Sequence, residues 1–410
     1  MKKRSQMILL ITLLLVLVGC NVAPETPGEG TPNQSGSNES QTNVVSQNKL
    51  GDGFYRPILT QDETYQTSNS RGITLKLNSG LNIALFEKDL IRLSQESFPT
   101  SEYFIKEGQM LSSETVNDWL SRSSSANLEE EVREELAKEA EESEVEFSEE
   151  EITAEINKRR LAEGLNPPQS GSGDDRVPNY LNSILELDFY HESDLNADIP
   201  AGISLGLAMN TVDYYTDEDY TRFEQDISPE VALQQGQDMA NEIIWRMRQM
   251  EGLENLPIQI SIYEQSSRDD LGGGVYVAIG ESLNGSSSID NWETLDEERL
   301  IFPLEGSNSA EGNAFANFKS EIESFFPNLS GVTGRAHYID EQLVSLSISV
   351  MTQFYGEQEI ISFTQYLNQA ALTYLPMALD VEIIVESPGN IEAFLKKSQT
   401  ETEYFSYVFD

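Results

Sequence analysis

Cysteine is nearly absent: Cys20 is the one thiol in 410 residues, so the chain can form no internal disulfide and its fold must rest on core packing. Histidine is almost as scarce, with His191 and His337 alone. His191 lies in Tyr190-His191-Glu192 without the second histidine of an H-E-x-x-H zinc helix, and His337 has no cysteine or histidine near it in sequence. Both read as structural. Positive charge is short as well: 26 Lys and Arg face 70 Asp and Glu, for a formal net charge of −44. Such a field excludes nucleic acid and anionic lipid headgroups as simple electrostatic partners. It suits solubility through an acidic surface, cationic ligands, divalent cations or a saline environment.

Catalytic signatures are missing too. Gly272-Gly273-Gly274 is not followed by Gly-Lys-Ser/Thr, which excludes a phosphate loop and leaves a tight turn before a strand at Val275 to Ile279. No G-x-S-x-G nucleophile elbow occurs, and carboxylates are too abundant to single out an acid/base pair. Asp194, Asn196 and Asp198 begin like a calcium loop, yet Ile199 stands at the glycine position and Leu205 at the bidentate carboxylate. Asp213, Asp217, Glu218 and Asp219 form a denser group. It reads either as a calcium-holding exposed loop or as a solvated one. No cofactor or metal is assigned.

What is present begins at the N-terminus. A basic Lys2-Lys3-Arg4 precedes an apolar stretch from Met7 to Val18, the pattern of a secretion signal. It is shorter than the ~20 residues a spanning helix needs. Its end, Leu17-Val18-Gly19-Cys20, resembles a lipobox: Gly19 is small enough for cleavage before Cys20, whose thiol would carry a diacylglyceryl thioether. The reading is therefore a signal peptide over 1–19, matured by lipoprotein-processing enzymes. The product would be held on the outer face of the cytoplasmic membrane, because stable anchoring takes two acyl chains. Loss of the three positive charges in the signal leaves the mature chain at −47. From Asn21 to Leu50 the composition turns to Pro, Gly, Ser, Thr, Asn and Gln, so 20–52 reads as the lipidated cysteine and a disordered tether, roughly 30 Å in root-mean-square span.

The folded part is expected in three stretches. The first, 53–165, should be α+β, with a strand at Ile73 to Leu77 and helices at Glu87 to Ser94 and Ser113 to Ser121, the last capped by Ser113. It carries an acidic insertion from Leu128 to Glu151, where 13 of 24 residues are Asp or Glu, either an exposed helix or a solvated run. Asn166 to Asp175 reads as a linker or loop.

The second and third stretches, 166–290 and 291–410, repeat strand, helix, strand. The first copy has Gly202 to Met209, a helix from Ser228 to Met250 and Ile258 to Tyr263; the second has Leu343 to Val350, a helix from Gln358 to Leu375 and Val381 to Val385. Each first strand leads to an aromatic pair, Tyr214-Tyr215 or Phe354-Tyr355. Val231, Met239, Ile243 and Met247 mark the buried stripe of the first helix. The fold class is thus α+β, two related halves whose sheets each bury one face under a helix.

In Phe104 to Gln109, Thr115 to Leu120, Gly202 to Tyr215, Ala240 to Arg248 and Leu256-Pro257-Ile258, the chain resembles the CamS lipoproteins of Gram-positive bacteria, known as sex pheromone precursors. The likeness runs from Phe54 to about Lys397 and rests on the order of these blocks. It implies that the cleaved signal can be trimmed to a hydrophobic conjugation pheromone, here within Ile11 to Val18. For the mature domain two readings stand. One is a non-enzymatic module binding an extracellular ligand or protein, with a shallow aromatic groove between the halves. The other is an extracellular hydrolase of cell-wall polymer, with two carboxylates about 5 to 9 Å apart in a closed cleft.

Overall fold

A computed structural model describes residues 43–45 and 50–409, except 69, 75, 144, 218, 305–308, 326–330 and 355. The chain order begins β1 (Val44–Val45), β2 (Arg56–Leu59), α1 (Arg71–Thr74), α2 (Gly80–Ser97), β3 (Tyr103–Glu107) and α3 (Ser113–Leu120). It continues with α4 (Leu128–Ser143), α5 (Glu149–Ala162), β4 (Leu181–His191), β5 (Gly202–Asn210), β6 (Val212–Thr216), β7 (Arg222–Asp226), α6 (Pro229–Met247), β8 (Ile258–Gln265), β9 (Val275–Ser282) and β10 (Trp292–Thr294). The rest is β11 (Glu297–Phe302), α7 (Ala310–Phe325), β12 (Gly331–Ile339), β13 (Gln342–Met351), α8 (Glu357–Tyr374), β14 (Asp380–Ser387), β15 (Asn390–Lys397) and β16 (Phe405–Val408).

The architecture is α+β, with one sheet in the order β1-β2-β3-β4-β5-β8-β9-β10, a second in the order β11 to β16, and the hairpin β6-β7 standing apart. The expected repeat is present. β5 and β8 pair in parallel across α6, with Leu205 opposite Ile260, and β13 and β14 pair in parallel across α8, with Ile348 opposite Ile383. Antiparallel strands flank both crossovers, β4 and β9 in one, β12 and β15 in the other. The repeated unit is therefore five elements rather than three.

The halves differ in how they are covered. β5 is buried along its whole length. Ile203, Leu205, Leu207 and Met209 meet Met239, Ala240, Ile243 and Met247 of α6, while the small residues Ser204, Gly206 and Ala208 alternate with them. That alternation lets a second helix approach: a Cβ on Gly206 would lie 2.8 Å from both the Phe86 ring of α2 and Tyr276 Oη. Phe86, Tyr263 and Tyr276 form a buried cluster there, with Phe98 stacked on Phe189 at 4.5 Å nearby. The first sheet thus has helices on both faces, not the single buried face expected. The second has α7 and α8 on one face, around Phe315, Phe318, Phe363 and Leu367.

Other expectations are corrected. Ile73 to Leu77 is not a strand: Arg71–Thr74 is a helical turn, with Ile73 and Leu77 both buried. The cap of α3 is Ser112, whose Oγ accepts from Thr115 N at 3.0 Å, so the hydroxyl acts one residue earlier than Ser113. Val231 is 44 % exposed; Ala232 and Gly236 take the inner positions of α6, their small size admitting β5 and β8. Asn166 to Asp175 is a loop, as one of its two readings had it, ending in a single turn at Gly173–Asp175, but its first residue is fully buried: Asn166 donates to Leu120 O and Leu181 O and accepts from Tyr180 N and Leu181 N. The expected tether ends early, since Val44–Val45 pair with Ile58 and Leu59.

The acidic insertion resolves as the helix pair α4 and α5. Ser148 and Glu151 close a capping box at 3.3 and 2.8 Å, three glutamates sit in the first turn of each helix, and Arg159 and Arg160 fill the last turn of α5. This complements the helix dipoles. Arg160 then clamps the pair to α6 through Glu242 and the face of Trp245, 3.8 Å from the ring centre.

Candidate site at the carboxyl ends of β5 and β8

Parallel strands joined by a crossover helix leave a crevice beyond their carboxyl ends, and here that crevice is lined with amides. β5 ends in Asn210 and β8 in Gln265, which are paired in the ladder. The Gln265 amide donates to Asn210 Oδ1, Asn182 Nδ2 approaches the same oxygen at 3.4 Å, and Asn210 Nδ2 donates to Asn179 O at 2.8 Å. Gln265 Oε1 accepts from Asn78 N at 3.0 Å. Asn179 Oδ1 and Asn182 Oδ1 are buried yet receive no hydrogen bond among the described residues. Asn78, Asn179, Asn182 and Asn210, backed by Gln265, line a recess of about 360 Å³ with Lys76, Asp213 and Arg268 and with Asn117 and Leu120 of α3.

One wall is aromatic. The β6-β7 ladder sets Tyr215 opposite Phe223, their rings stacked at 5.3 Å and 17°. Arg176 lies over Tyr215 at 4.1 Å and Arg268 over Tyr214 at 3.9 Å, while Arg268 N donates to Tyr214 Oη at 3.1 Å. Beside this hairpin, sharing Tyr214 and Arg268 with the recess, lies a groove of about 830 Å³ that also holds Tyr215, Arg222 and Phe223. Amides offer both donors and acceptors, and aromatic faces offer apolar contact. The combination suits a neutral, hydroxyl-bearing ligand.

The described acidic residues of the loop are held by protein partners. Asp213 is buried, paired with Arg176 and accepting from Asn179 N at 2.9 Å. Asp217 Oδ1 accepts from Asp219 N and Thr221 N at 3.0 and 2.8 Å, and Glu218 lies outside the described residues. Among the described residues no three His, Cys, Asp or Glu side chains converge on a metal position. Asn196 anchors the N-terminal segment instead, accepting from Asn43 N, and Asp194 bonds Ser193 Oγ at 2.8 Å. The three glycines close a turn: Gly272 N and Gly273 N donate to Asp270 Oδ1 at 2.7 and 2.8 Å, and Gly274 N to Asn82 Oδ1 at 3.0 Å. His191 packs on Tyr103 with the rings tilted and their centres 4.4 Å apart, while His337 bonds Glu297 at 2.9 Å.

Two carboxyls do come together, but not in a cleft. Glu186 and Asp188 project from one face of β4 and are fully buried. Glu186 accepts from Met110 N and Leu111 N, each at 2.9 Å, and Asp188 Oδ2 from Gln109 N at 2.8 Å. Burial, then the Glu186 charge, push the Asp188 carboxyl well above its ordinary value; burial also raises Glu186. The pair fastens the turn after β3. Gly19 and Cys20 lie outside the described residues.

The model of the CamS sex pheromone cAM373 precursor family matches residues 65–403. The chain belongs to the CamS family. A crystal structure of a sex pheromone precursor from Lactobacillus salivarius subsp. salivarius UCC118 is 30 % identical with a TM-score of 0.75, covering 90 % of this chain and 99 % of that one. The C-terminal domain of the staph-cAM373 precursor from Staphylococcus aureus is 25 % identical with a TM-score of 0.63, covering 81 % of this chain and 98 % of that one. No curated protein matches. Two segments that carry the CamS resemblance, Thr115–Leu120 and Gly202–Tyr215, supply Asn117, Leu120, Asn210, Asp213 and Tyr214 to the recess. Two others meet at Arg248, which donates to Leu253 O, Leu256 O, Ser282 O and Ser286 O at 2.6 to 3.1 Å.

The aromatic groove is therefore not between the halves. Phe354 of the second copy packs on Phe363, with ring centres 5.6 Å apart, and among the described residues no hairpin follows β13. Sequence reasoning singled out Tyr214 and Tyr215 but missed Asn179, Asn182, Asn210, Gln265 and Arg268. Amides at the last positions of two hydrophobic strands are the signal that could have found them.

Proposed function

We propose that the protein is a lipid-anchored extracellular module that binds a neutral, hydroxyl-bearing ligand, such as a glycan, in the amide recess beside the β6-β7 hairpin. The observation that carries this reading is the pair of buried, unbonded oxygens, Asn179 Oδ1 and Asn182 Oδ1. A buried acceptor left empty costs about 1–3 kcal/mol, which a ligand hydroxyl would recover. The role is non-enzymatic: the paired carboxyls Glu186 and Asp188 are committed to backbone N–H groups under the turn after β3. Anchoring rests on Cys20 after Gly19, and the discarded signal is a source for a hydrophobic pheromone, in keeping with the family.

The test is a screen of neutral glycans against the full chain, repeated with Asn182→Ala and Tyr214→Ala. Binding by the parent that falls at least tenfold in both variants is expected. No neutral glycan bound, or equal binding by all three proteins, would overturn the reading.

A further inference from the structure

Arginines in this acidic chain are usually matched. Arg176 and Arg299, partly buried, and Arg246, buried, each hold a carboxylate, and Arg248 holds backbone carbonyls. Arg335, half-buried on β12, makes no hydrogen bond, ion pair or ring contact among the described residues. It stands on the sheet face opposite α7 and α8, with Ile301 on one side and Ser347 on the other in register. Glu382 follows Ser347 in the same row, but its carboxylate is taken by Lys396 at 2.8 Å.

This row lines a pocket of about 340 Å³, near the lower end of small-molecule sites. Thr333 and Ser347 bring hydroxyls that have no protein partner among the described residues, while Ile384 and Leu271 bring apolar surface. Leu271, from the turn before β9, is 71 % exposed and forms the rim. A guanidinium fork beside hydroxyls recognises a planar oxyanion. Apolar walls, within a field of −44, favour one negative charge on an apolar body over a polyanion.

We propose that the Arg335 pocket binds an apolar monocarboxylate, with the carboxylate on the Arg335 fork and hydroxyls of Thr333 and Ser347, and its apolar part against Ile384 and Leu271. Burial, then the neighbouring Arg299 charge, lower the Arg335 pKa; a bound carboxylate would oppose both. This site lies on the second sheet, apart from the amide recess, and does not depend on it.

Titration calorimetry of the full chain with hexanoate, hexanamide and inorganic phosphate tests it. Hexanoate should bind at least tenfold more tightly than hexanamide or phosphate. Arg335→Gln should reduce hexanoate binding tenfold or more. Leu271→Glu, at an exposed position that leaves the core intact, should reduce it about threefold or more by placing a charge at the rim. Hexanoate binding that is absent, matched by hexanamide, exceeded by phosphate, or unchanged in a folded Arg335→Gln protein would overturn the proposal; if that variant does not fold, unchanged binding by Leu271→Glu does the same.

Discussion

The buried carboxyl pair on β4 makes two near-isosteric substitutions diverge. Both oxygens of Glu186 accept backbone N–H groups, from Met110 and Leu111 at 2.9 Å. In Glu186→Gln one oxygen becomes an NH₂ facing an N–H donor. One charge-assisted bond, about 1.5–3 kcal/mol, is lost, and a buried donor is left unsatisfied at about 1–3 kcal/mol; with partial relaxation, roughly 2–4 kcal/mol of destabilisation is expected. Asp188 is different. Only Oδ2 accepts, from Gln109 N, and buried Oδ1 has no well-formed bond, with the Glu186 carboxylate beside it. Asp188→Asn can keep the accepting oxygen and turn its NH₂ toward Glu186. Because the folded pKa of Asp188 is raised, the native state holds a proton that the unfolded state releases, and stability is lost as pH climbs above the unfolded carboxylate range. Asp188→Asn should therefore match the parent near pH 4 and exceed it at pH 8. Urea unfolding of the three proteins at pH 4, 6 and 8 measures this. A Glu186→Gln protein as stable as the parent, or an Asp188→Asn protein whose advantage does not grow with pH, would refute the reasoning.

Burial, then Glu230, raise the Glu264 pKa from 4.5 to about 7. The linked stability, present below about pH 4.5, is lost as pH rises toward 7, so Glu264→Gln should gain about 1–2 kcal/mol at pH 8 after solvent screening and nothing at pH 4, read by thermal melts. Gly108→Ala places a Cβ 2.4 Å from the Glu186 side chain and should cost about 2–3 kcal/mol by overpacking, measured by denaturant unfolding. Phe86→Ala, in the layer between α2 and β5, should cost about 3–5 kcal/mol in the same assay. Cys20→Ala should abolish incorporation of labelled fatty acid and leave the chain unprocessed or shed; retained, lipid-labelled protein would contradict the anchoring proposal.

Much of the fold was legible because hydrophobic period is a local signal. β5, α6, β8 and their counterparts β13, α8, β14 fall within a few residues of their expected positions, since each alternates or repeats against a core. Ile73 to Leu77 misled because an apolar alternation of five residues also fits a helical turn with two inward side chains. The double covering of β5 was hidden because Ser204, Gly206 and Ala208 look like the polar side of a half-exposed strand, whereas their small size receives Phe86. The recess was less legible still. Asn182, Asn210 and Gln265 lie on three strands and meet only through sheet order, which composition does not encode. Arg335 is likewise ordinary in sequence, and distinctive only because its cross-strand neighbours are Ile301 and Ser347 rather than carboxylates.

The hairpin β6-β7 enters between the first strand and the helix of one crossover, whereas in the other crossover residues 352–356 pass directly from β13 to α8. The molecule thus carries an internal reference for its own candidate site: a second crossover of the same strand order that does without the aromatic wall. Replacing 212–226 by a link as short as 352–356 would ask the first half to become what the second already is. A protein that stays folded but no longer holds its ligand would mark the hairpin as a part added for recognition, on a framework able to stand without it.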